Sequence, residues 1–204
     1  MKNVIKNLGL LGLTLCLVST AEAAIGPRLG AGLSFPTVSV ANVAVPGLST
    51  KTGFVGGLGF EQSFGPVGVV ADLLYTKRVA GFPANISAKL SYLEIPVMAQ
   101  LSLLGFRLAA GGYYGVGLGN LTSCNGTACT SVAHTASNIT VGTATLNFNK
   151  NDMGLMFGAG YALPIPMLTV AVDLRFRLGL SNIADVAGVN VKWRGVDIVA
   201  GVLF

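Results

Sequence analysis

The sequence predicts a closed antiparallel β-barrel that spans a membrane, and the clearest single observation is the alternation near its C-terminal end. From Leu168 to Leu180 every even position is apolar, while the odd positions include Asp173, Arg175 and Arg177. A period of two places successive side chains on opposite faces of a strand. This segment is therefore expected to be a strand with one apolar face and one charged face.

Composition excludes the two common alternatives to a barrel. The chain is 52% hydrophobic and only 10% charged, whereas soluble domains carry about 25% charged residues. No interior stretch reaches the roughly 20 consecutive apolar residues of a membrane-spanning helix, and 28 glycines among 204 residues disfavour helices. A closed barrel is the other architecture that pairs every backbone polar group within lipid.

The N-terminal residues predict export. Lys2 and Lys6 precede an apolar run from Leu8 to Val18, and the small residues Ala21 and Ala23 are typical of the positions before a cleavage site. We therefore expect a signal peptide over residues 1–23 and a mature barrel domain over residues 24–204.

Acylation at Cys16 is the alternative interpretation of the N-terminal segment, but Leu15 is bulky where lipoprotein signals need a small residue. Cleavage after Ala23 removes two of the 13 basic and one of the eight acidic residues, which leaves a net charge of +4.

Cys124 and Cys129 remain in a polar stretch of an exported chain, so we expect a disulfide between them. A single C-x4-C pair does not predict a zinc site, and no cofactor is expected.

Eight segments alternate or are continuously apolar, and their connections alternate in length. Gly65-Pro66, Leu104-Gly105 and Pro164-Ile165-Pro166 predict tight turns, as expected for the periplasmic side of an outer-membrane barrel with long external loops. The predicted strands are 25–35, 51–64, 67–78, 89–103, 106–120, 150–163, 167–180 and 191–204, and the predicted long loops are 36–50, 79–88, 121–149 and 181–190. The alternation at Ala144, Leu146 and Phe148 leaves open a further hairpin and a count of ten.

The alternation separates a lipid-facing set, such as Leu29, Phe54 and Leu73, from a polar inner face. An eight-stranded barrel is just wide enough for side chains to fill it, so we expect ion pairs in the lumen rather than an aqueous channel. The predicted inner network is Arg28, Glu61, Asp72, Glu94, Gln100, Arg107, Asp173, Arg175, Arg177 and Asp197.

A second group of basic residues lies near the strand ends that adjoin the long loops, where only Asp152 and Asp185 oppose them. Lysine and arginine bind phosphate through charge and hydrogen bonds. Lipopolysaccharide or another outer-membrane lipid is therefore the expected partner. The predicted lipid-phosphate rim is Lys51, Lys77, Arg78, Lys89, Lys150, Lys192 and Arg194.

The final segment ends on an aromatic residue after apolar residues at alternate positions, from Val196 to Phe204. This pattern is similar to the terminal strand that the barrel assembly machinery of outer membranes recognises. We expect Phe204 to act as an assembly signal and the assembled chain to be a monomer.

Several short motifs resemble those of the small outer-membrane β-barrel proteins called PorT-like. The resemblance covers most of residues 50–204 and implies an outer-membrane barrel without an assigned activity, so it transfers no functional residue. Ala99-Gln100 and Phe176 depart from the family pattern. The matching motifs are Tyr92-Leu93-Glu94-Ile95-Pro96, Gly111-Gly112-Tyr113-Tyr114-Gly115, Asp152-Met153-Gly154-Leu155, Gly158-Ala159-Gly160-Tyr161, Asp173-Leu174-Arg175-Phe176 and Gly179-Leu180-Ser181-Asn182-Ile183.

The residues give less support to an enzymatic, nucleic-acid-binding or transport function. A lipid-modifying enzyme needs a nucleophile and a base in reach of each other, but the single histidine, His134, lies in a long loop between Ser131 and Ser137, and Ala136 breaks the His-x-Ser spacing of barrel lipid A deacylases. The positive charge is too dispersed for nucleic acid. A narrow solute pore and a soluble lipocalin-like barrel are further alternatives. We expect a bacterial outer-membrane barrel with a structural or surface-interaction role and no enzymatic activity.

Overall fold

The computed structural model describes residues 23–40, 49–82, 86–125, 128–133, 139–141, 144–182, 184–186 and 189–204. The predicted signal peptide therefore lies almost wholly outside the described residues, and its cleavage stays a prediction. Within the described part of the chain, no helix is long and apolar enough to cross a membrane.

Every regular element described is a β-strand, and all the pairings between strands are antiparallel. The strands are β1 (Ala23–Val40), β2 (Ser49–Phe64), β3 (Val67–Phe82), β4 (Ile86–Leu103), β5 (Phe106–Asn125), β6 (Ala128–Ala133), β7 (Ile139–Val141), β8 (Ala144–Phe148), β9 (Asn151–Ile165), β10 (Leu168–Gly179), β11 (Ala184–Val186) and β12 (Val189–Leu203).

Eight of these strands close into a barrel in the order β1-β2-β3-β4-β5-β9-β10-β12, and β12 pairs with β1 to complete the ring. The closing register extends from Arg28 opposite Leu203 to Val40 opposite Val191. The eight-stranded up-and-down barrel predicted from the alternation is confirmed, and the four short strands do not enter its wall.

The short strands lie at the end of the barrel opposite the tight turns. Strand β6 pairs with the end of β5, β7 pairs with β8, and β11 pairs with both β8 and β12. The barrel strands contain 12 to 20 residues, although about 9–11 tilted residues suffice to span a bilayer. The wall therefore continues beyond the membrane on the loop side.

The tight turns lie at residues 65–66, 104–105 and 166–167. In the second, Leu104 and Gly105 both have positive φ, at 52° and 85°, as required by the two-residue hairpin turns that match strand twist. The third turn was predicted at Pro164–Pro166, but β9 continues through Pro164 to Ile165, and the reversal lies at Pro166-Met167.

Side chains alternate between the two faces as predicted. Large hydrophobic side chains are exposed on the outer wall of all eight barrel strands, and Leu58 is 58% exposed. Among the described residues, the interior holds two small apolar groups, Val70 with Met98, Tyr113 and Met156, and Val55 with Leu74 and Val199. Most of the remaining buried interior consists of charged and polar side chains.

Candidate functional site

The lumen contains two clusters of ion pairs, one toward the tight turns and one toward the loops. We call the first the inner cluster (Arg28, Glu61, Asp72, Arg107, Asp173 and Arg175) and the second the outer cluster (Arg78, Glu94, Asp152, Arg177 and Asp197). Each residue is at an inward position of its strand, and all are buried except Glu61, whose side chain is 12% exposed.

Two arginines from different strands hold the centre of the inner cluster. Arg28 Nη2 donates to Asp173 Oδ2 at 2.9 Å, and Arg28 Nε lies 3.4 Å from Asp72 Oδ1. Arg175 Nη1 donates to Asp72 Oδ2 at 2.8 Å. Because β1 and β10 are linked through β3 across the lumen, these bonds connect opposite walls of the barrel.

Arg107 forms the part of the inner cluster nearest the turns. Its Nη2 donates to Glu61 Oε2 and to Gln100 Oε1, both at 2.6 Å. Gln100 Nε2 in turn donates to Glu61 Oε1 at 2.7 Å. The predicted inner-face residue Gln100 therefore contacts both charged partners and closes a three-residue ring of hydrogen bonds.

The outer cluster is organised around Arg78. Its Nη1 donates to Asp152 Oδ2 at 2.6 Å and its Nη2 to Glu94 Oε1 at 2.7 Å. Arg177 reaches the same Glu94 oxygen at 3.4 Å and also donates to Asp197. Five strands contribute to this group, so it joins most of the circumference of the barrel.

Aromatic side chains surround the guanidinium groups of the outer cluster. The Arg78 guanidinium lies 4.4 Å from the centre of the Tyr92 ring and 5.5 Å from that of Trp193. Arg177 lies 5.7 Å from the Tyr113 ring, and the Tyr113 hydroxyl donates to Asp152 Oδ2 at 3.1 Å. Aromatic faces attract desolvated cations, so these rings stabilise the buried charges as well as filling space.

Among the described residues, the side chains of the two clusters fill most of the lumen. A cavity of about 10 Å³ lies within the inner cluster, lined by Arg28, Arg107 and Asp173 among others, which is about the space that one water molecule needs. A wider cup of about 400 Å³ opens at the turn end, where Glu61 and Arg107 lie beside Phe204. In the described part of the barrel, these side chains occupy the middle of the lumen.

The structure places all ten predicted network residues inside the barrel, but it also requires a correction. Arg78 was assigned to the lipid-phosphate rim, yet it is fully buried and bonded to Glu94 and Asp152. Strand β3 continues to Phe82 instead of ending at residue 78, so Arg78 is inside the wall. Asp152 was placed at the same rim and is likewise fully buried.

Arginine is the one basic residue type among the described residues of the two lumen clusters. The five basic residues of the two clusters are all arginines, whose planar fork suits buried carboxylate pairs. Lys51, Lys77, Lys150 and Arg194 are exposed, and Lys89 and Lys192 are half-buried. The rim that remains after the correction therefore consists of these six residues.

Two further predicted sites lie at opposite ends of the barrel. Cys124 lies directly opposite Cys129 in the β5–β6 pair, and the disulfide itself stays a prediction. Phe204 is 62% exposed at the turn end of the barrel, where its backbone N–H donates to the Pro27 carbonyl at 3.1 Å. His134 and Ser137 lie outside the described residues.

Comparison with known families decides the classification. The model of the outer membrane protein beta-barrel domain family matches residues 19–185. The chain belongs to this family. Its members are bacterial outer-membrane proteins, and the predicted location in the outer membrane is confirmed. No curated protein matches the chain in sequence.

Solved structures of outer-membrane barrels are similar to this family member in fold. Neisserial surface protein A is 14% identical over 89% of this chain and 97% of its own, with a TM-score of 0.48. Ail, the attachment invasion locus protein of Yersinia pestis, is 15% identical over 88% of this chain and 98% of its own, with a TM-score of 0.45.

Proposed function

We propose that this outer-membrane barrel is a non-conducting protein whose role is structural or lies in surface interactions at its loop end. The observation that carries the proposal is the lumen, where the inner and outer clusters leave a cavity of only about 10 Å³. General diffusion pores require an open aqueous channel, and a narrow solute pore would need the buried arginines to leave their carboxylate partners.

The extension of the wall beyond the bilayer supports a role at the cell surface. Strand β5 continues to Asn125 and pairs with β6, while β8 and β11 add a second paired region on the same side. The predicted loop 121–149 includes β6 and β8, and it is the longest predicted external segment. We infer that it is the main surface for a partner, with the Cys124–Cys129 disulfide reducing the entropy lost on binding.

The proposal contains no chemical step. The charged lumen side chains bind one another, and the described residues contain no nucleophile held beside a free base, as covalent catalysis requires. The same proposal includes four further points. The chain is PorT-like and monomeric, the assembly machinery recognises Phe204, and the barrel binds outer-leaflet lipid.

Conductance measurements test the sealed lumen. The mature barrel, reconstituted in planar bilayers, is expected to show no steady ionic current, whereas a variant carrying R28A and R175A is expected to conduct because it loses the centre of the inner cluster. Stable current steps from the unmodified protein would contradict the proposal.

A loop deletion tests the surface role. Deletion of residues 123–147 is expected to abolish adhesion without loss of the folded barrel, and unchanged adhesion would contradict the surface role.

A further inference from the structure

Three lysines converge on one area of the outer wall, and no lysine has an acidic partner within 4 Å among the side chains that the structure describes. Lys51 on β2 and Lys89 on β4 both lie opposite Val79 of β3. Lys77 lies two residues before Val79 on the same strand and is exposed on the outer face. We call this group the three-lysine patch (Lys51, Lys77 and Lys89).

A β-bulge places Lys51 in the patch. Phe54 pairs with Lys77, but after the register shift between residues 51 and 54 it is Lys51, not Thr52, that pairs with Val79. A bulge of this kind redirects the side chains that follow it. Lys51 and Phe54 are an odd number of residues apart and would lie on opposite faces of a regular strand, yet here both lie on the outer face.

The spacing allows the three ammonium groups to reach a single anion. Neighbouring strands are about 4.8 Å apart, so the α-carbons of Lys51 and Lys89 are separated by about 10 Å, and Lys77 lies about 7 Å along the strand from Val79. Val79 is only 9% exposed although it faces outward. Lysine stems commonly lie along apolar surface while the charge remains outside, and the two flanking lysines are in position to cover Val79 in this way.

The distribution of carboxylates leaves the patch without an internal counterion. Six of the eight acidic residues are in the two lumen clusters, and Glu22 and the side chain of Asp185 lie outside the described part. No lysine takes part in the ion pairs that the structure describes. Among the described side chains, no carboxylate therefore neutralises the positive charge of the patch.

The surface below the patch identifies the kind of anion. The Tyr75 hydroxyl and Ser91 Oγ are 2.8 Å apart in the next rows of the same face, where Ser91 pairs with Lys77 and Tyr75 pairs with Leu93. Toward the turns the face becomes mainly apolar, with Leu58, Leu73 and Ile95 exposed. Tyrosine at the level of headgroups and a lipid-facing apolar belt below it are typical of the outer boundary of a membrane barrel.

We propose that the three-lysine patch binds the phosphate of a phosphorylated glycolipid in the outer leaflet, with the acyl chains of that lipid against the apolar belt. This assignment rests on the proposed orientation of the barrel, with its loop end outside the cell. It assigns the predicted lipid-phosphate rim to β2, β3 and β4, whereas Lys192 and Arg194 belong to β12 on the far side of β1 and Lys150 directly precedes β9.

Lipid titrations of the full mature barrel in zwitterionic detergent test this site, with lipid A carrying two phosphates as the probe and bound copies counted by native mass spectrometry. Each lysine near an anionic headgroup contributes about a fivefold factor in affinity. The variant K51Q, K77Q and K89Q is expected to bind about 100-fold more weakly, while the Lys→Arg variant of the same positions retains binding.

The matched control is the variant K150Q, K192Q and R194Q, which removes the same charge from the other rim residues. It is expected to lose less than about fivefold in affinity. Equal losses in the two triple variants, or equal binding of lipid A and its dephosphorylated form by the unmodified protein, would overturn the assignment. Conductance of the unmodified protein is measured in parallel, because a conducting barrel contradicts the proposed function and leaves the lipid site standing.

Discussion

Arg78 and Lys77 are neighbours in the sequence, yet they lie on opposite sides of the barrel wall. Lys77 is exposed on the outer face of the barrel wall, whereas Arg78 is fully buried in the lumen and lies 2.6 Å from Asp152. The pair shows how a single strand supplies one cation to the lipid boundary and another to the lumen. The described cations of the barrel are separated in a similar way, with five arginines in the two clusters and the lysines and Arg194 outside them.

Removal of Arg78 is expected to destabilise the barrel strongly. An R78M variant leaves Glu94 and Asp152 as buried carboxylates without their main partner, and breaking a buried ion pair costs about 3–5 kcal/mol. The free energy of unfolding in urea, followed by the heat-modifiable shift on gels, measures this loss. The control K77M removes the adjacent exposed charge and is expected to change the free energy by less than about 1 kcal/mol. Equal stability of the two variants would contradict the central position of Arg78.

Gly59 is expected to tolerate no larger side chain. It lies between Arg28 and Asp72 in the strand register, and a methyl group there would collide with the Asp72 carboxylate. We expect G59A to cost about 1–3 kcal/mol through displacement of the inner cluster. At Gly112 the nearest atom to an added methyl group is 3.5 Å away, so G112A serves as the control and is expected to be near neutral in the same urea titration.

Truncation of Phe204 is expected to impair assembly rather than the stability of the assembled barrel. The ring is exposed at the rim of the turn end, and its loss removes little buried area. The fraction of protein that reaches the outer membrane in heat-modifiable form should fall, while F204W should assemble normally because it keeps an aromatic terminus. Normal assembly of the truncated chain would exclude Phe204 as the signal.

Cys124 and Cys129 are expected to form a disulfide in the exported protein. They are direct partners in the β5–β6 register, and opposed residues of neighbouring strands bring their β-carbons close to the separation that a disulfide needs. Thiol labelling of the mature unfolded protein should detect no free thiol before reduction and both thiols afterwards. A C129S variant should expose one thiol, and labelling of both cysteines without reductant would contradict the prediction.

The alternation of side chains was sufficient to predict the barrel and the faces of its strands. A period of two can be recognised in each strand separately, so Arg28, Asp72 and Arg175 were assigned to the interior without knowledge of their partners. The partners themselves depend on the stagger of eight strands around the ring. For this reason the contact of Arg28 with Asp173, 145 positions away, could not be derived from the sequence.

The errors arose where a position was interpreted from its distance to a loop. Arg78 and Asp152 lie close to predicted strand ends and were assigned to the rim, but β3 extends to Phe82 and keeps Arg78 inside. Strict use of the alternation would have placed Arg78 in the lumen, because Arg78 and Asp72 are an even number of residues apart on the same strand. The shift of the third turn to Met167 had no such signal, because the two prolines of the segment favour a turn on either side.

The accessibility of spin labels on β10 tests the central claim most directly, which is that apolar faces contact lipid and charged faces are enclosed. Labels are placed singly at Val172, Leu174 and Phe176 in reconstituted bilayers, in a background without Cys124 and Cys129. The account predicts that all three collide freely with dissolved oxygen and scarcely with a water-soluble nickel complex. Preferential collision with the nickel complex at these positions would show that the apolar face borders water, and it would contradict the orientation described for the whole barrel.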